Sequence, residues 1–293
     1  MLTKICAFFM SLVTVCTTLI GIVKEDYKVY TDVAYGTEER EVMDIYVPNS
    51  AKERDDNACL LFIHGGSWSG GDKSQMAPFC QIAAANGYIA ATMSYTLFTR
   101  ETADTFDVFI TVDQIGKALQ KIKDFSDEND LHITKAATSG YSSGAHISML
   151  YSYSRMDSFP LELPFTMNMV GPSDLSFDVW GDTGYRLASM LSGEEITEAM
   201  IADGSAQTVV DKVSPVNYVT AATMPSLFAY AGKDNTVPAG NAQAVKDAFD
   251  AAGAPYDFIL YPHADHIIFL RDPNKTVELL NALLDYCKTY FGY

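Results

Sequence analysis

Lys135-Ala-Ala-Thr-Ser-Gly-Tyr-Ser-Ser-Gly-Ala-His146 is the stretch on which the reading of this chain turns. At its centre stands Gly140-Tyr-Ser-Ser-Gly144, a G-x-S-x-G pentapeptide. Small residues at 136–139 lead in as a buried strand would, and residues 145–153 lead out with helical character. A serine on so sharp a strand-to-helix turn has its hydroxyl pushed out above the sheet. The glycines at either end leave room for the turn. The helix that follows points its free N–H groups and its positive end at the serine, where an oxyanion would form. A plain Ser/Gly loop closing a strand would share the composition, but not the strand before it and the helix after it.

Working outward, strands and helices alternate. Upstream, residues 107–125 have helical spacing in Val108, Ile110, Val112, Ile115, Leu119 and Ile122. Before them come an apolar strand at 88–94, a helix at about 75–86 capped by Gly87, and the continuous apolar run 58–63, suited to a strand buried on both faces. That run ends in His64-Gly65-Gly66-Ser67-Trp68. Earlier still, 29–35 and 41–47 alternate as an antiparallel pair at a sheet edge would. Downstream, strands are expected at 165–170, 225–230 and 256–261, and helices at 239–252, stopped by Gly253, and 275–290. Residues 175–214 are mixed, with weak helical signals, and are expected to form a small insertion over the site. The pattern predicts an α/β fold whose mostly parallel central sheet is flanked by helices, with a site at the C-terminal ends of the strands.

Residues 5–23 carry no charge and follow Lys4, as a signal peptide or an N-terminal membrane anchor would. No A-x-A cleavage site is visible, and Val15 before Cys16 is a poor lipobox residue, so an uncleaved anchor with an extracytoplasmic domain is favoured over cleavage. Residues 1–23 are accordingly set apart from one large α/β domain at 24–293. The chain has 20 basic and 37 acidic residues, a formal net charge of −17, which argues against nucleic acid or an anionic membrane surface as the main ligand. The membrane is expected only through the N-terminal segment. Five cysteines with no C-x-x-C and no nearby His/Cys cluster indicate neither a zinc site nor a disulfide framework. All read as small buried hydrophobes, and no metal or organic cofactor is implied.

A serine needs a base, most often a histidine held in one tautomer by a carboxylate. Of the five histidines, His132 lies in a polar loop, and His146, one turn beyond the serine, faces neighbouring loops. His64 ends a strand and can brace the Gly-Gly turn. His263 and His266 remain, both in the loop after the last strand, where chain order Ser…Asp…His places the base. On the same order Asp234 is favoured as the acid, with Asp174 as runner-up. The Gly-Gly turn at a strand end suits an oxyanion hole, its donors being the N–H groups of Gly66, Ser67 and Ser143.

These pieces together resemble the α/β-hydrolase superfamily, nearest its HGG-W esterases. That group includes hormone-sensitive-lipase-like enzymes, feruloyl and acetyl-xylan esterase-like proteins, prenylcysteine methylesterases and kynurenine formamidases. The resemblance is carried by His64-Gly-Gly-Ser-Trp68 with Gly71-Asp-Lys73, by Gly140-Tyr-Ser-Ser-Gly-Ala-His146, by Ser214-Pro215, Gly232-Lys-Asp234 and Val237-Pro238, and by Tyr261-Pro262 with His266. It implies Ser142, Asp234 and His266 as the catalytic residues, selecting His266 over His263 through the Y-P-x-x-x-H pattern. His64, Gly65 and Trp68 would support the motif. Ser67 and Ser143 stand where relatives often have smaller residues, and Thr96 where they often carry Arg, but no needed backbone N–H is lost. The resemblance implies a serine carboxylic ester hydrolase acting on a small acyl or carbohydrate ester. An amidase, formamidase or peptidase would use the same machinery. A non-catalytic membrane-tethered module would usually lack the serine or the histidine, and both are present.

Overall fold

The computed structural model describes residues 26–293. The apolar segment 5–23, with Cys6 and Cys16, lies outside the described residues. Among the described residues no helix is long and apolar enough to cross a membrane.

Among the described residues eight strands form one sheet in the order β1-β2-β4-β3-β5-β6-β7-β8. They are β1 (Tyr27–Ala34), β2 (Val42–Pro48), β3 (Asn57–Ile63), β4 (Ile89–Met93), β5 (Ile133–Tyr141), β6 (Thr166–Met169), β7 (Ser226–Ala231) and β8 (Tyr256–Tyr261). β1 and β2 pair antiparallel at one edge, β2 is antiparallel to β4, and every pairing from β4 onward is parallel. This is the mostly parallel sheet that the alternation predicts.

β3 explains why its sequence reads as an unbroken apolar run. Successive side chains point to opposite faces. Cys59, Leu61 and Ile63 join one core with Val112, Ile115, Leu119 and Ile122 of helix α2 (Val108–Asn129). Ala58, Leu60 and Phe62 join the other, with Phe79 and Cys80 of α1 (Ala77–Ala85) and Leu279, Leu280, Leu283 and Cys287 of α10 (Pro273–Phe291). Each fully buried Leu, Ile or Phe contributes about 1.5–3 kcal/mol, so both faces must be covered before the sheet is stable. Cys59, Cys80 and Cys287 are free and buried, as expected of small hydrophobes.

The helix ends follow the sequence signals. The Asp107 carboxylate accepts the Phe109 N–H at 2.8 Å, and Gly87 and Gly253 take the left-handed conformations that stop α1 and α8 (Gly240–Ala252). The segment between β6 and β7 holds four short helices: α4 (Phe177–Trp180), α5 (Asp182–Ser192), α6 (Glu198–Asp203) and α7 (Ala206–Val213). They leave the C-terminal end of β6, and α4 lies against the start of α8, where a Cβ on Gly240 would come 3.1 Å from Val179.

Candidate active site

The turn bearing Ser142 joins β5 to α3 (Ser143–Ser154). Ser142 has φ 56° and ψ −122°, outside the ordinary helical and extended regions. Its N–H donates to the Met169 C=O at 2.9 Å, and its C=O accepts from His146 N–H at 3.1 Å. The turn is tight because Gly144 lies directly on β3: a Cβ there would sit 2.3 Å from the Ile63 carbonyl oxygen. No larger residue fits, which is why the motif carries glycine at this place.

The side chain of Ser142 meets the last loop of the sheet. Its hydroxyl lies 2.9 Å from His266 Nε2, across 124 residues of chain. His266 Nδ1 lies 2.7 Å from Asp234 Oδ2. A carboxylate only accepts, so Nδ1 carries the proton and Nε2 faces the serine as an acceptor. The other Asp234 oxygen accepts the N–H groups of Thr236 at 2.8 Å and Val237 at 2.9 Å. The Asp234 side chain is 2% exposed and that of His266 16%, so the base alone opens towards solvent.

The alternatives left by chain order fall elsewhere. His263 is exposed on the same loop. The Asp174 carboxylate accepts the Ser176 N–H at 2.8 Å and the Ser176 hydroxyl at 3.0 Å, a turn cap rather than a partner for histidine. His132 sits beside exposed Asp130.

Above the serine runs the turn from His64 to Trp68. Gly65 must be glycine, since a Cβ there would stand 2.8 Å from the Tyr141 oxygen and 3.1 Å from Ser142 Cβ. Gly66, Ser67 and Trp68 follow with φ of 133°, 54° and 58°. The Gly66 C=O accepts from Ser69 and Gly70 N–H at 3.1 and 3.0 Å, which closes the turn. Ser143 opens α3, so its N–H has no acceptor within the helix. His64 braces the turn as its position suggests: its Nδ1 pairs with the Gly65 C=O at 2.8 Å, and its ring stacks on Tyr95 at 4.2 Å. Burial holds its pKa down at about 4.

Two contacts here have no signal in the sequence. The Tyr141 hydroxyl donates to the His266 carbonyl oxygen at 2.6 Å, tying the nucleophile turn to the histidine loop. The Trp68 indole N–H donates to His146 Nδ1 at 3.1 Å, so His146 faces inward to the Gly-Gly turn. Trp68 is buried and packs rather than lining a pocket, whereas Phe177 is exposed and stacks on Tyr185. Among the described residues no group of three His, Cys, Asp or Glu side chains is placed to hold a metal ion.

A hydroxyl, an imidazole and a carboxylate in hydrogen-bonded series on this sheet define the class: an α/β-hydrolase carrying the machinery of a serine hydrolase. The chain belongs to the BD-FAE family, whose model matches residues 43–249, a span that contains Ser142 and Asp234 and ends before His266. A probable isoprenylcysteine alpha-carbonyl methylesterase of Oryza sativa subsp. japonica is 24% identical over 260 residues, covering 84% of this chain; the alignment spans 60% of that relative's length. Among solved structures, a truncated carbohydrate esterase from gut microbiota aligns with a TM-score of 0.74 at 15% identity, over 92% of this chain and 98% of its own. Esterase B from Lactobacillus rhamnosis, inhibited by a tributyrin phosphonate, aligns at 0.73 and 17%, over 99% and 95%. Native esterase 2 of Thermogutta terrifontis aligns at 0.68 and 20%, over 91% and 92%.

Proposed function

We propose that the protein is a serine carboxylic ester hydrolase that works through an acyl-enzyme on a small acyl or carbohydrate ester. Ser142 attacks the ester carbonyl while His266 Nε2 takes its proton. Asp234 holds the Nδ1–H tautomer and stabilises the imidazolium that forms. The N–H groups of Gly66, Ser67 and Ser143 receive the oxyanion, each worth about 3 kcal/mol of transition-state stabilisation. His266 then protonates the departing alcohol, water enters, and the same steps run in reverse order to release the acid. One observation carries this reading: the 2.9 Å and 2.7 Å links from hydroxyl to imidazole to carboxylate, lying under a turn of positive φ. The ester bond, as against an amide, is supported by the esterases whose fold the chain shares.

The test is hydrolysis of p-nitrophenyl acetate by the purified protein and by Ser142→Ala. We expect the variant to lose at least about 10⁴-fold in rate and to lose labelling by a fluorophosphonate. Equal rates would reject the assignment, and faster cleavage of a matched amide would replace ester with amide. The apolar charge-free run 5–23 supports an extracytoplasmic placement through an uncleaved anchor; recovery in the soluble fraction without detergent would contradict it. The helices of residues 175–214 form one wall of the substrate site in this reading, since they leave the C-terminal end of β6 and α4 lies against the start of α8.

A further inference from the structure

Two non-glycine residues in succession, Ser67 and Trp68, hold left-handed backbone. L-residues stay there only where their surroundings over-determine the conformation. The anchor is Trp68. Its C=O accepts the Phe98 N–H at 2.8 Å, and its buried indole N–H, which can only donate, goes to His146 Nδ1 at 3.1 Å. That bond fixes the state of His146. Nδ1 accepts, so the proton is on Nε2, which donates to the Val213 C=O at 2.8 Å. The two rings meet edge to face, with centroids 5.3 Å apart and planes at 89°. His146 is wholly buried, on the helix that begins beside the nucleophile. One neutral imidazole thus joins three segments: the turn above the serine, the helix carrying it, and the last residue of α7.

We propose that His146 is a positioning residue for the oxyanion turn. Its Nδ1 holds the Trp68 indole, and through it the N–H groups of Gly66 and Ser67, at a fixed height over Ser142. The inference rests on reading that turn as the oxyanion hole. A histidine that merely filled space would have no division of labour between its nitrogens. Here the Nδ1 bond serves the turn, and the Nε2 bond serves the attachment of the helical insertion.

The two bonds separate by substitution. His146→Asn puts an amide oxygen where Nδ1 stood, keeping the indole acceptor and leaving the Val213 C=O unpaired. His146→Gln reaches towards Val213 and leaves the indole unpaired. Trp68→Phe keeps a ring and removes the N–H. Steady-state kinetics on p-nitrophenyl acetate and thermal unfolding are measured for all three in the full chain. We expect H146Q and W68F to lose about 10- to 100-fold in kcat with KM unchanged within about twofold, as for a transition-state donor moved out of place. H146N should recover most of the rate lost in H146Q while melting below the wild type. The proposal is overturned if kcat simply follows Tm across the series, with H146N among the slowest, or if H146Q and W68F stay within about twofold of wild type. The rate at which a fluorophosphonate labels Ser142 gives the same ranking without ester turnover. A wild type that is labelled but does not hydrolyse the ester therefore rejects the esterase reading and leaves the ranking to decide this one.

Discussion

Asp234→Asn changes one atom and should silence the site. In the native relay Asp234 Oδ1 accepts two backbone N–H groups, from Thr236 and Val237, at 2.8 and 2.9 Å, while Oδ2 faces His266 Nδ1 at 2.7 Å. An amide placed here has one acceptor and one donor end. The two N–H groups demand the carbonyl oxygen, so the NH₂ lands on His266 Nδ1. The opposite orientation leaves both N–H groups facing a donor, at about 1–3 kcal/mol for each unsatisfied group. The favoured arrangement therefore forces Nδ1 to accept, and the imidazole proton moves to Nε2, where it points at Ser142. A protonated Nε2 cannot take the serine proton. A wrong tautomer in such a relay costs about 10⁴-fold in kcat, or about 5.4 kcal/mol. The assay is kcat and KM on p-nitrophenyl acetate at pH 7, with unfolding monitored to show that the fold is kept. A folded D234N protein within about tenfold of wild type would refute the assigned role of Asp234.

Tyr141→Phe removes only the hydroxyl that holds the His266 carbonyl. Stability should fall by about 1 kcal/mol, and kcat by about tenfold as the base loses its fixed height; stopped-flow acylation measures the second, and an unchanged acylation rate would count against the link. Acid should weaken the fold through His64 and His146, whose pKa values burial lowers from an ordinary 6.5 to about 4. Both are neutral when folded and take up protons more readily when unfolded, so their contribution is complete above about pH 6.5 and is lost as pH falls towards 4. Each is worth roughly 3 kcal/mol over that window. Urea titrations at pH 7, 6 and 5 should show stability falling, and His146→Asn should flatten the dependence by about one proton; identical slopes would contradict it.

The fold was legible wherever one local rule governed several residues. The last strand lies at 256–261, as its apolar run with turn signals at both ends predicts. Gly87 and Gly253 marked helix ends by their chemistry, and both take positive φ. The elbow was legible because two glycines flank the one residue whose backbone is forced. The helix boundaries within the segment 175–214 were not. Its four helices are interrupted at Gly181, Gly193 and Gly204, each with positive φ, so no run is long enough to show a period. The single turn α9 (Ile268–Arg271) falls between the expected elements and is too short to show a period. In the site, chain order left His263 and His266 both open as the base and only the family resemblance picks His266, while the contacts that support the relay have no signal at all. Tyr141 reaches a carbonyl 125 residues away, and Trp68 a histidine 78 residues on; only the assembled sheet brings them together. Asp174 and Asp234 both follow parallel strands, and what separates them is the neighbour β8, which delivers the base beside β7.

The strand order has an outcome for how this molecule comes into being. The proposed nucleophile, acid and base hang from β5, β7 and β8, and β8 docks only on β7, at the far margin of the sheet. A chain still emerging from the ribosome can shape its serine turn long before it owns a proton acceptor. Until the final strand is seated the hydroxyl is an ordinary alcohol, unable to react with whatever ester drifts past. Turnover is therefore a gauge of completed assembly, and a nick or slippage that frees β8 should extinguish it while most of the globule stands.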